Sequence, residues 1–210
     1  MKKKLLALLF VGMLSVSMMA CGSSTDSSDG GTQTGVSSDL SEQTDAGEAL
    51  DGQAEDDPNV PTEYKSALRS AKSYSDLMHM SKQGIYDQLT SEYGDQFPAD
   101  AAQYAVDNLQ VDWKANALKC AENYSDTMYM SKQGIYDQLI SEFGEKFTEE
   151  EAQYAIDNME ADWKANALKT AENYQTTMAM SKQAIYDQLI SEYGEQFTAE
   201  EAQYAVDNLQ

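Results

Sequence analysis

The sequence is poor in the residues on which most enzyme active sites depend. Its 210 residues include one His, two Cys and three Pro. With so few of these side chains, catalysis through a histidine, cysteine-rich zinc sites and a disulfide framework are nearly excluded. It also has no Gly-rich phosphate loop, nucleophile elbow or HExxH motif. We therefore expect no enzyme, no cofactor and no metal site.

Basic residues are scarce as well. There are 14 Lys and Arg against 36 Asp and Glu, which gives a net charge of −22 at neutral pH. Such a chain repels phosphate and has few cations with which to release counterions, so nucleic acid is excluded as a partner. The acidic surplus favours a cationic partner. Hydrophobic residues make up 41 %, which is enough to bury a core.

The first 21 residues have the layout of a bacterial lipoprotein signal. Three lysines precede an apolar stretch that is too short for an ordinary membrane-spanning helix, and Ala20 stands directly before Cys21. We predict a signal peptide over 1–20, cleavage before Cys21 and a diacylglycerol on its thiol, holding the protein at the extracellular face of the cell membrane. The alternative is a plain secretory signal in which Cys21 is incidental.

An acidic linker follows over residues 21–60. From Gly22 to Val60 there are ten acids, no base and no aromatic residue. A segment of this composition cannot bury enough apolar surface to offset its chain entropy. The linker is therefore expected to be disordered.

Three copies of one unit make up the remaining chain. The segments SKQGIYDQLTSEYGDQF, SKQGIYDQLISEFGEKF and SKQAIYDQLISEYGEQF begin at Ser81, Ser131 and Ser181, so the period is 50 residues. A period of this length marks a repeated supersecondary unit. The repeats are placed at 61–111, 112–161 and 162–210.

The apolar residues of each unit predict three helices in a helix-turn-helix-like arrangement, and hence an all-α fold of three tandem repeats. In the second copy, Thr148 and Glu151 form a capping box at the start of the third helix. Thr198 and Glu201 repeat it, whereas Pro98 replaces the threonine in the first copy. The apolar stripe predicted for the first helix consists of Ala117, Leu118, Ala121, Tyr124 and Met128.

The second helix of the unit is predicted to begin after Ser131, which serves as its N-cap. Its buried face continues through Ile135, Leu139 and Phe143 at helical spacing. Gly144 then stands where a left-handed residue would end the helix.

The two tryptophans, Trp113 and Trp163, occur only at junctions between repeats. We interpret both as packing wedges that join neighbouring units, with ligand stacking as the alternative.

Cys120 has only small residues at the equivalent positions and is expected to be a partly buried free thiol. Met-x-Met pairs recur at the end of each first helix, where helix closure explains them better than a Cu(I) site does.

The repeat as a whole resembles a known family. The run ALKxAENYxxTMxMSKQGIYDQLISEFGEKFTxEEAQYAIDN, followed by a DWKANAL junction, is similar to the repeat of the host cell surface-exposed lipoprotein family, often called Ltp. The resemblance covers Ala67 to Gln210. It implies an all-helical protein, tethered to the outer face of the membrane, that stops an incoming phage from delivering DNA. The implied partner is the basic tape measure protein of the phage tail.

Acidic residues off the apolar stripes are the candidate contacts for such a partner. Singly each is a solvated surface residue, and only their summed field would steer a basic polypeptide. The alternative function is a structural or adhesive envelope lipoprotein that binds wall components or cations. The candidate acids are Glu149, Glu150, Glu172, Asp187, Glu192, Glu195 and Glu200.

Overall fold

The structure, a computed structural model, describes residues 58–210. The predicted signal peptide, Cys21 and the acidic linker as far as residue 57 lie outside the described residues. Over 58–210 the chain forms α-helices and no strands, three helices in each 50-residue repeat, which confirms the all-α repeat fold. The helices are α1 Thr62–Met78, α2 Lys82–Thr90, α3 Ala99–Asn108, α4 Trp113–Met128, α5 Lys132–Ile140, α6 Glu149–Asn158, α7 Trp163–Met178, α8 Lys182–Ile190 and α9 Ala199–Asn208.

Local capping explains where most of these helices begin. The hydroxyl of Ser131 accepts a hydrogen bond from the N–H of Gly134 at 3.0 Å, and Ser81 and Ser181 cap α2 and α8 in the same way. Both predicted capping boxes are present, at the starts of α6 and α9. Pro98, at the start of α3, provides no side-chain cap. Each cap satisfies backbone donors that the first turn of a helix leaves unpaired.

The prediction that α5 runs on to Phe143 is wrong. The helix ends at Ile140, and the Phe143 side chain is fully exposed, at 101 %. Phe147 enters the core instead and is 4 % exposed. Its N–H donates to the carbonyl of Leu139 at 2.8 Å, so the chain turns back over the end of α5 and presents the second aromatic, not the first.

The left-handed conformation predicted for Gly144 is also wrong. The residue with positive φ in this turn is Lys146, at 58°. Gly144 is needed for another reason, because a Cβ at this position would lie 2.4 Å from the carbonyl oxygen of Gln138. Only glycine allows the two backbone segments to approach so closely.

Each repeat has a hydrophobic core of its own. The long first helix packs against the third, and the short second helix closes the unit. In the second repeat Ile135, Leu139 and Phe147 pack on small residues of α4 and α6, which let the helices approach. Met128 does not belong to this core, contrary to the predicted stripe, because its side chain is 60 % exposed.

A buried asparagine joins each repeat to the one before it. The amide of Asn116, in α4, donates to the Ser75 hydroxyl at 2.9 Å and to the Met80 carbonyl at 3.0 Å. Asn166 makes the equivalent two bonds 50 residues further on, at 2.9 and 3.1 Å. Because these polar groups are buried, they depend on one another for hydrogen bonding.

The tryptophans lie at the same junctions. Trp113 is the first residue of α4 in the second repeat, yet it packs against the core of the first repeat. Trp163 packs in the same way against the core of the second. An ion pair between Lys146 and Asp87 also spans the first junction. Each repeat is thus held to its neighbour by apolar and polar contacts together.

Candidate interaction surface

The surface of the repeat array carries a large excess of carboxylates. Residues 61–210 contain 26 Asp and Glu against 11 Lys and Arg, so at least 15 acids have no base in the array with which to pair. The part of the chain that the structure describes shows no cluster of His, Cys, Asp and Glu arranged to hold a metal ion. Among the same residues, no helix has the length and apolar character required to cross a bilayer.

Three of the candidate acids are engaged by lysines of the same chain. Their partners are Lys114 for Glu150 at 2.7 Å, Lys164 for Glu200 at 2.7 Å and Lys169 for Glu172 at 3.0 Å. The hydrogen bond from Lys114 lowers the pKa of the Glu150 carboxyl, and Lys164 lowers the pKa of Glu200 in the same way. Much of the charge of these three acids is therefore offset locally.

Three other candidates point their charge into solvent. Glu149 and Glu192 are exposed, and neither forms an ion pair among the described residues. Asp187 is exposed too, and accepts a hydrogen bond from Gln183 at 2.9 Å, one turn earlier in α8. A neutral amide donor leaves the carboxylate charge in place, so these three acids are available to a cation from outside.

The last candidate, Glu195, is part of a repeat junction. Its carboxylate accepts a hydrogen bond from the Tyr174 hydroxyl, and its backbone carbonyl accepts one from the Ser131 hydroxyl of the repeat before. Glu145 and Tyr124 form the equivalent pair in the second repeat. Burial is the main reason, and the hydrogen bond to the carboxylate the second, that the pKa of each tyrosine hydroxyl is raised well above its usual range. The tyrosines therefore remain donors that fix these carboxylates.

A row of exposed aromatic side chains was missed by sequence reasoning. One stands in the turn after the second helix of every repeat, next to an exposed glutamate. The sequence signal for it is the recurrence of an aromatic at a fixed place in the period, although helical spacing favours a buried Phe143. The exposed aromatics are Tyr93 at 92 %, Phe143 at 101 % and Tyr193 at 95 %.

Cys120 is expected to be unreactive as long as the second repeat is folded. The thiol is free and buried, and burial raises its pKa to about 12. Thiolate is the reactive form. In a folded Cys21→Ser chain at neutral pH, a thiol reagent should therefore label Cys120 at least about tenfold more slowly than it does in concentrated urea. Thr176→Cys, at an exposed position of α7, provides the control, and equal labelling of both thiols in the native state would contradict the prediction.

The fold and the surface together define an acidic tandem-repeat protein built from three-helix units. The family described as host cell surface-exposed lipoprotein matches the chain three times, at residues 62–109, 112–159 and 162–209. These matches cover more than half of the chain, and the chain belongs to this family.

Individual proteins add one likeness. Comparison with curated proteins finds no match. Among solved structures, the chain is similar to Ltp, described as a superinfection exclusion protein from the Streptococcus thermophilus temperate phage TP-J34. The two are 44 % identical over 48 % of this chain and 99 % of that chain, with a TM-score of 0.45.

Proposed function

We propose that this protein is a lipid-anchored superinfection exclusion protein, which blocks entry of phage DNA by binding a basic protein of the phage tail. Membership of a surface-exposed lipoprotein family supports a position outside the cell, and the signal layout before Cys21 supports a lipid anchor there. The partner that the family resemblance implies is the tape measure protein, which leaves the tail during injection.

The observation that carries the proposal is the uncompensated negative charge of the repeat surface. With 26 acids against 11 bases, the array attracts a positively charged polypeptide over a range of several ångströms. Each exposed aromatic directly follows a glutamate in the sequence, as Phe143 follows Glu142. A lysine or arginine side chain can bind to a ring face as well as to a carboxylate. Because the pattern recurs in each repeat, several weak contacts would add up on a single chain.

The direct test separates phage adsorption from DNA entry. Cells that express the protein should adsorb phage normally, while delivery of phage DNA into the cytoplasm falls by at least about tenfold. Cys21→Ala should restore entry, because the repeats would no longer be held at the membrane. Adsorption is measured from free phage titre and entry from phage DNA inside the cell.

Two results would contradict the proposal. Unchanged DNA entry across a broad phage panel would remove the exclusion function. A deletion that alters wall integrity or adhesion without any effect on phage would favour the structural or adhesive alternative.

The acids that face solvent should matter more to binding than the acids already paired with lysine. We expect the combined variant Glu149→Gln, Asp187→Asn and Glu192→Gln to bind a basic tape measure fragment about fivefold more weakly at low salt, because exposed charge pairs each contribute a few tenths of a kcal/mol or more. The difference should vanish as salt rises, since screening removes the contribution of these charges. Fluorescence anisotropy over a salt series measures both.

The matched control neutralises acids that are held in ion pairs. Glu150→Gln with Glu200→Gln removes two charges that Lys114 and Lys164 already offset, and frees both lysines. If affinity depends on net charge alone, the two sets of variants will weaken binding by the same amount per charge removed. That equality, or an affinity that does not depend on salt, would contradict the proposed contact by specific solvent-facing acids.

A further inference from the structure

Each repeat exposes a methionine at the last residue of its first helix. Met78, Met128 and Met178 have 61, 60 and 63 % of their side chains accessible to solvent. The position directly after them differs in every copy, whereas the methionine is the same in all three. Single exposed apolar side chains are common on protein surfaces, so the significance of these methionines depends on what they line together.

These methionines line grooves that form where two repeats meet. The first groove, of about 310 Å³, has Met78 and Met80 from the first repeat on one side, and Tyr124, Met128 and Glu145 from the second on the other. The second groove, of about 780 Å³, is lined by the equivalent residues 50 positions further along and also by Lys169, which is paired with Glu172. Met128 borders both, so the two adjoin. We call the pair the Met groove.

A fixed carboxylate stands in each half of the Met groove. Glu145 lines the first half and Glu195 the second, and each accepts a hydrogen bond from a tyrosine hydroxyl of its own repeat. Neither glutamate has a lysine partner among the described residues. The Met groove therefore combines apolar thioethers with two negative charges held in place.

This combination of apolar and anionic groups restricts what can occupy the groove. A lipid acyl chain would desolvate both carboxylates without compensating them. A second copy of the chain carries the same negative charge and is repelled. The residues that the structure describes include no strand, so there is no sheet edge to which a peptide could add. Thioether side chains, in contrast, adapt to varied apolar surfaces and suit a groove that receives a helix.

We propose that the Met groove binds an amphipathic helix of a partner protein, with its apolar face against Met78, Met128 and Met178 and its basic side chains at Glu145 and Glu195. The groove as a peptide-binding site stands on these residues alone. Its occupation by a phage tail protein rests on the proposed function, which it deepens by naming a helical, amphipathic segment as the part recognised.

The test uses peptides of defined design with the full mature chain carrying Cys21→Ala, so that neither lipid nor detergent is needed. One peptide of about 20 residues, which spans about 30 Å as a helix, consists of Leu and Lys with Leu on one helical face. The other has the same composition with Leu scattered around the helix. We expect the amphipathic peptide to bind about tenfold more tightly by anisotropy, and to shift the methyl NMR signals of Met78, Met128 and Met178 more than that of Met159, which is buried in the core of the second repeat and borders neither half of the groove.

Substitution of the exposed methionines checks that the groove is the site. Met78→Gln, Met128→Gln and Met178→Gln together should lower the affinity for the amphipathic peptide about tenfold, which corresponds to about 1.4 kcal/mol. Leu77→Gln is the matched control, because Leu77 is 79 % exposed and borders neither half of the groove. All four side chains are largely exposed, so both variants should melt as the parent chain does.

The outcomes separate this inference from the proposed function. Equal binding of the two peptides, or an unchanged affinity in the triple methionine variant, overturns the inference that the Met groove binds a helix, even where phage exclusion is intact. A tenfold loss that leaves Leu77→Gln unaffected supports it. If the chain binds the amphipathic peptide as expected but has no effect on phage DNA entry, the groove is supported as a helix-binding site and the proposed function is the part that fails.

Discussion

Ile135→Ala is expected to lower the free energy of unfolding of the second repeat by about 3–4 kcal/mol, within the range of buried Ile-to-Ala substitutions. Ile135 is completely buried, and it connects the nine-residue helix α5 to the core. A helix so short has little stability apart from its packing. Because each repeat has its own core, the second repeat should open first. Urea unfolding by circular dichroism, with hydrogen exchange of each repeat, measures the effect.

The chain contains a matched control for this substitution. Ile190, the last residue of α8, is 39 % exposed, so its side chain buries less apolar area than that of Ile135. Ile190→Ala should therefore lower the free energy of unfolding by about 1 kcal/mol or less. Ile85→Ala, at the position equivalent to Ile135 in the first repeat, should cost as much as Ile135→Ala but release the first repeat instead. Similar losses at Ile190 and Ile135 would show that the cores do not carry the stability.

Features set by a few neighbouring residues were predictable from the sequence. Ser131 as an N-cap and the capping boxes at α6 and α9 depend on a side chain and a backbone N–H three positions away, and all are present. The 50-residue period gave the number of units, because each copy contains the same apolar spacing. The prediction failed where two aromatic residues both fit the helical spacing of the buried face. Phe143 and Phe147 are four residues apart, and helical periodicity alone favours the first.

The choice between those aromatics depends on where α5 ends. Helix termination here uses an extended Ser141 followed by a turn that packs against Gln138, and neither has a strong local signature. The first helices end differently, with Tyr129 and its equivalents in the left-handed region although none is glycine. There the N–H of Tyr129 donates to the Ser125 carbonyl at 3.1 Å, a local bond that closes the helix end. The Met groove could not be predicted from the sequence because it exists only once two repeats are docked.

The junctions did have a sequence signal that composition could not reveal. Asparagine stands at 116 and 166, whereas the equivalent residue of the first repeat is Ser66. Where a preceding repeat is present, the amide donates to a hydroxyl and a carbonyl of that repeat. Ser66 instead accepts a hydrogen bond from Arg69 one turn away in α1. Comparison of the copies with one another thus distinguishes residues that hold a repeat together from residues that join two.

Loss of a junction asparagine should make the repeats unfold separately. Asn116→Ala leaves the Ser75 hydroxyl and the Met80 carbonyl without their donor at a buried interface, which should cost about 2 kcal/mol. In a tandem array, stability is the sum of the repeat stabilities and the contacts between neighbours, so a weaker contact reduces coupling rather than folding. Unfolding should therefore become broader, with the first repeat separating from the other two.

Tryptophan fluorescence can follow each junction by itself. Trp113 reports the first junction and Trp163 the second, so chains with Trp163→Phe or Trp113→Phe each observe one of them. Asn116→Ala should shift the urea midpoint seen by Trp113 more than that seen by Trp163. Ser66→Ala is the control. It should change the free energy of unfolding seen by either tryptophan by no more than about 0.5 kcal/mol, because it removes only an exposed hydrogen bond. Equal shifts at both tryptophans would mean that the array unfolds as one unit, and that the asparagines stabilise it as a whole rather than at the joint where each one lies.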